Sequence, residues 1–150
     1  MGSSAVVNSR FINWPYKKKI FQISHLNKIN NKIIETIYIN KEKPIYKIFK
    51  LTELILRVYR YLNNSKNKLI VIEGASWIFY SSVVIFFFKF FSSKVKIIYI
   101  SHSIESEIRE KYSNKFIYLL TRCLEKLVFQ FSDLSTSVSE REKKKIYSLY

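Results

Sequence analysis

Two stretches of the chain, "KLIVIEG" at 68–74 and "VKIIYIS" at 95–101, are apolar without a break over 69–72 and 97–100. A strand with one wet face alternates apolar and polar residues, so an unbroken Ile/Val run marks a strand covered on both faces, as in a parallel sheet. Further strands are expected at "KIFQIS" (19–24), "TIYI" (36–39) and, shorter, "DLSTSVS" (133–139).

Helical patterns lie between these strands. "YKIFKLTELILRVYRYLNN" puts Ile48, Leu51, Ile55, Val58, Tyr59 and Leu62 at helical spacing and stops at Asn63-Asn64. "NKFIYLLTRCLEKLVFQF" does the same with Phe116, Leu119, Leu120, Cys123, Leu127 and Phe131, so Cys123 reads as core filler. An amphipathic helix is expected from Ala5 to Trp14, and Ser139 three residues before Glu142 forms a capping box. The stretch "WIFYSSVVIFFFKFF" (77–91) carries Lys89 and is shorter than the roughly 18 to 20 apolar residues that span a bilayer. It reads as a crossover helix buried against the sheet. Strand alternating with helix predicts an α/β fold: a Rossmann-like open parallel sheet flanked by helices, in a single domain over 1–150.

Composition supports a packed domain and points to a class of partner. The 150 residues are 48% apolar and 17% aromatic, enough for a core, and only 2 Gly and 2 Pro suit long helices better than a turn-rich β sandwich. The single cysteine excludes an internal disulfide and a cysteine-based zinc site. A formal charge of +15 attracts nucleic acid, anionic lipid headgroups or a phosphate-bearing substrate without choosing among them. The crowding of Lys, Ile, Asn, Tyr and Phe is also what an AT-biased coding sequence would give. The amino terminus, "MGSSAVVNSR", has no basic head followed by an apolar stretch.

In open parallel sheets, ligands bind beyond the carboxyl ends of the strands, so position singles out residues more sharply than type does. His102 directly follows the strand at 95–101, and Glu73, Gly74, Ala75 and Ser76 stand at the end of the strand before it. His25 and the serines and threonine at 135, 136, 137 and 139 belong to the same edge. Imidazole donates, accepts or carries a proton at working pH, which makes His102 the candidate catalytic group. Glu105 and Glu107 fall in the first turn of the following helix, where they complement its positive end. The phosphate-loop, dinucleotide, nucleophile-elbow and zinc-protease motifs are all missing from the sequence.

"VIEGAS", "IIYISHSIESEIRE" and "FSDLSTSVSEREKKKIYSLY" together resemble the amino-terminal domain of GT-B glycosyltransferases of family four. The correspondence runs through His102-Ser103 with Glu105, the helix around Arg122 to Phe131, Ser132-Asp133, and Val138-Ser139-Glu140. It spans nearly the whole chain, and its order and spacing weigh more than any single motif. The resemblance implies transfer of a sugar from a nucleotide-sugar donor to a glycan or lipid-linked acceptor, with retention and without an obligatory metal or other cofactor.

Under it, His102 lies near the donor sugar and the Gly2 loop approaches the donor phosphates, with Ser3 where a second glycine is usual. Substrate binding then falls to Gly2, Ser3, Glu73, Gly74, Ser103, Glu105 and Ser139. The chain would be the acceptor side of the enzyme, lacking a first strand before Gly2 and a donor domain after Tyr150, and active only with that domain supplied in trans. Its expected place is the cytoplasm, at the inner membrane face. The alternatives are a basic module that binds nucleic acid or an anionic membrane, or a non-functional gene fragment. Nucleic acid is disfavoured by the lack of any reader motif.

Overall fold

The computed structural model describes residues 18–24, 34–38, 44–66, 68–74, 78–92 and 94–150. The helix expected over Ala5 to Trp14 lies outside them. The chain divides into two compact units, 1–67 and 68–150.

In the first unit, β1 (Ile20–Ser24) and β2 (Ile34–Tyr38) pair in parallel, with Ile20 opposite Ile34. Helix α1 (Pro44–Asn63) begins at a proline, whose fixed φ suits the first helical turn and whose missing N–H would be unpaired there anyway. Leu51, Ile55, Val58 and Leu62 form its buried stripe, as the periodicity predicts. Ile48, expected on that stripe, is exposed.

The second strand starts at Ile34, two residues before the expected Thr36, and so contains Glu35. That carboxylate is tolerated because Lys19 reaches it at 2.6 Å and Arg57 at 2.5 Å. These partners, Lys19 first, hold the Glu35 carboxyl below its usual range.

The second unit runs β3 (Leu69–Gly74), α2 (Ile78–Phe91), β4 (Lys96–Ser101), α3 (Glu105–Tyr112), α4 (Lys115–Phe131), β5 (Leu134–Ser137) and α5 (Glu140–Leu149). Its strands are parallel in the order β3-β4-β5, with Ile70 opposite Ile97 and Ile98 opposite Leu134. The α/β class is thus the one expected, with the parallel pairing among the described residues divided between a two-stranded and a three-stranded sheet.

Alternation along β4 sends Ile97, Tyr99 and Ser101 to one face, where all are buried and where Tyr99 meets Phe129 of α4 edge to face at 5.6 Å. Ser132 and Asp133 join α4 to β5. Asp133 accepts the Ile97 N–H at 2.8 Å and pairs with Lys89 of α2 at 2.7 Å, tying three elements together at the sheet's amino edge.

The helix packing departs from expectation in one place. On α4 the buried residues are Thr121, Glu125 and Val128, while Phe116 is 74% and Leu119 50% exposed. Leu120, Cys123 and Phe131 are exposed as well, so Cys123 is not core filler. Helical periodicity identifies which side of a helix is apolar, but does not say which side meets the sheet. Here α2 contributes Ile78, Ile85 and Phe88 to the core, and α4 meets it with Thr121, Glu125, Val128 and the ring of Phe129 against Tyr99. Among the described residues no helix is long and apolar enough to cross a membrane.

Candidate functional site

His102 sits in the bend immediately after β4, the central strand of the three. Its Nε2 lies 3.0 Å from Oε2 of Glu73, at the end of β3, and the two side chains are 20% and 7% exposed. Register explains the meeting: Glu73 stands opposite Ile100, so it alternates to the sheet face away from Tyr99, and His102 is the next residue on that face. An Nε2–H donating to the carboxylate fixes the tautomer, leaving Nδ1 as the ring nitrogen that Glu73 does not engage.

Gly74 turns to the opposite face. A Cβ there would lie 2.2 Å from the Tyr99 hydroxyl, so the phenol occupies the space a side chain would need. Burial, reinforced by the charges of Glu125 and Glu105, pushes the Tyr99 phenol far above the ordinary value.

The loop from His102 to Ile104 is fastened by carboxylates. The residue before α3 is Ile104, which has no side-chain oxygen to cap a helix. Glu125 of α4 supplies the cap: Glu105 N–H donates to Oε1 at 2.5 Å and Ser106 N–H to Oε2 at 3.3 Å. The Tyr150 hydroxyl donates to the same Oε2 at 2.8 Å. With Glu125 only 2% exposed, desolvation outweighs these bonds and raises its carboxyl above the ordinary range. Ser101 Oγ donates to the Ser103 carbonyl at 2.8 Å, closing the turn.

The structure brings some of the expected site residues together and gives others different work. Glu73 and His102 meet. Ser103 offers its carbonyl to the turn, and Gly74 makes room for Tyr99. Glu105 does not merely decorate its own helix: Oε2 accepts the Ile78 N–H at the start of α2 at 2.6 Å, and Oε1 accepts from Arg109 at 2.9 Å. Glu107 pairs with Lys145 of α5. Ser139 is the expected cap of α5, its Oγ accepting the Glu142 N–H at 3.1 Å. Ser137, on β5, donates to Glu142 at 3.0 Å. Gly2, Ser3, His25, Ala75 and Ser76 lie outside the described residues.

Among the described residues no group of three or more His, Cys, Asp or Glu is placed to hold a metal ion. Scans against protein-family models, curated proteins and solved structures return no match.

Three residues that organise this edge were not foreseen: Glu125, Tyr99 and Tyr150. The one available signal for Glu125 was its place on the polar side of α4, at helical spacing from Thr121 and Val128. Tyr99 carried none, because a tyrosine in a continuous apolar strand looks like any other large core residue.

Proposed function

We propose that the chain is the acceptor-side half of a GT-B-type glycosyltransferase, contributing one wall of a cleft in which a nucleotide-sugar donor meets a glycan or lipid-linked acceptor. The observation that carries this reading is the Glu73–His102 pair at the carboxyl ends of parallel strands, the side on which open α/β sheets bind ligands. It is supported by the order of the remaining parts, from the strand ending in "SHS" to the Asp133 strand and the Ser139-capped helix.

In this reading Glu73 is a positioning residue, holding the imidazole by Nε2. His102 offers Nδ1 as an acceptor to a hydroxyl of the transferred sugar or of the acceptor, which donates one hydrogen bond there. The donor diphosphate would be gripped mainly by a second α/β half. That half would supply most of the transition-state stabilisation.

The test is saturation-transfer NMR of the chain with a panel of uridine- and guanosine-diphosphate sugars and short glycan acceptors. Wild type is expected to show sugar-ring contacts that His102→Ala abolishes and Glu73→Gln weakens, with the amide spectrum of each variant otherwise unchanged. Absence of contact with every nucleotide sugar and glycan, or equal contact in His102→Ala, would overturn the proposal.

A further inference from the structure

Helix α4 carries its apolar stripe outward. Phe116, Leu119, Leu120 and Cys123 follow one another at three- and four-residue spacing on one face, and all are exposed. Lys115, Arg122 and Lys126 share the adjoining edge of that face, a quarter to a third of a turn away by helical geometry. The only acid of the helix, Glu125, is buried on the opposite side as the cap of α3, so the outward side bears cations and apolar groups without a carboxylate.

At the carboxyl end of α4 the apolar surface continues. Phe131 meets Phe86 of α2 edge to face at 5.5 Å, and α2 ends in the exposed Phe90 and Phe91. A peptide-binding groove would need walls, and nucleic acid would find no flat aromatic platform flanked by bases on both sides. A row of large apolar side chains with a cationic margin, on a chain of net charge +15, instead complements an anionic bilayer surface: hydrocarbon for the stripe, headgroups for the margin.

We propose that the outer face of α4 lies in the interfacial layer of an anionic lipid bilayer and holds the protein there peripherally. This stands independently of any sugar-transfer activity, since it rests on the exposed stripe and its charge margin alone.

Cys123, the chain's one cysteine, sits in the middle of the stripe and gives a probe without any introduced substitution. The chain, labelled there with an environment-sensitive fluorophore, is titrated with vesicles of phosphatidylcholine alone and of phosphatidylcholine mixed with phosphatidylglycerol. A blue shift and at least about tenfold tighter binding are expected on the anionic vesicles, with the affinity falling as salt is added. Lys115→Gln combined with Arg122→Gln and Lys126→Gln should weaken that binding roughly tenfold or more. Leu119→Ser combined with Leu120→Ser should weaken it by about the same factor. Both sets change exposed positions, and circular dichroism checks that the fold is kept.

Three outcomes would overturn the proposal: no preference for the anionic vesicles; unchanged vesicle binding in the Leu119→Ser, Leu120→Ser variant; or a label already blue-shifted without lipid, which would mean that another copy or another part of the chain covers the face. Sedimentation equilibrium in the absence of vesicles tells the last two occupants apart.

Discussion

Glu125 accepts the backbone N–H of Glu105 at 2.5 Å from across the helix pair, so the buried carboxylate of α4 is the amino-terminal cap of α3. Glu125→Ala leaves two helix-end amides and the Tyr150 hydroxyl without their acceptor, and should cost about 2–4 kcal/mol in urea unfolding. Glu125→Gln keeps an oxygen for one amide and should cost roughly half as much.

The same residue imposes a pH dependence. Its carboxyl is raised in the folded state by burial, so the folded protein binds the Glu125 proton more tightly than the unfolded chain does. Stability from this group is full below the unfolded carboxyl value of about 4.3 and declines as pH rises through the folded value. The difference in unfolding free energy between wild type and Glu125→Gln should therefore shrink as pH is raised from 4 to 7. A difference that is flat or grows over that range would contradict the assignment.

Asp133 gives the opposite sign. Its hydrogen bond from Lys89, then the Ile97 N–H and Lys96, lower the carboxyl to about 2. Its contribution is present above the unfolded value of about 3.9 and is lost as pH falls toward 2. Because the ion pairs are partly in water, Asp133→Asn is expected to cost only about 1 kcal/mol at neutral pH. That gap should close between roughly pH 4 and pH 2 in denaturant unfolding followed at each pH.

Gly74→Ala would drive a methyl group into the Tyr99 hydroxyl and should destabilise by about 1–3 kcal/mol. If the contact is the cause, Tyr99→Leu should cost less in the Gly74→Ala background than in wild type. A double-mutant cycle reads this directly, and strictly additive losses would place the strain elsewhere.

The Glu73–His102 contact predicts a tautomer. Long-range nitrogen–proton correlation spectra recorded at alkaline pH should show the His102 proton on Nε2 in wild type and a mixture of the two forms in Glu73→Ala. A wild-type ring protonated on Nδ1 would mean that the carboxylate does not orient the imidazole.

How far the sequence disclosed this structure depends on which kind of information each element used. β3 and β4 were legible to within a residue, because a continuous Ile/Val run between helical patterns has few other uses. His102 was legible as a strand-end residue. Its partnership with Glu73 was not, because it depends on parallel register, which places Glu73 opposite Ile100. The inward face of α4 was read the wrong way round for a physical reason: burial of Thr121 and Val128 depends on how α4 packs against α2, a property of two helices together. β2 was expected at 36–39 and runs Ile34–Tyr38, so it takes in Glu35. Its tolerance comes from Lys19 and Arg57, one on each side of it in the sequence.

The turn from His102 to Ile104 is anchored on one side by Glu73 and on the other by Glu125, each reaching in from a different element. Fixing a residue's backbone costs roughly 1–2 kcal/mol of conformational entropy, and for this turn that cost is incurred once, when the domain folds. A ligand arriving at His102 thus meets a receptor whose shape is already set, and its binding should show little of the entropic penalty that accompanies the ordering of a loop.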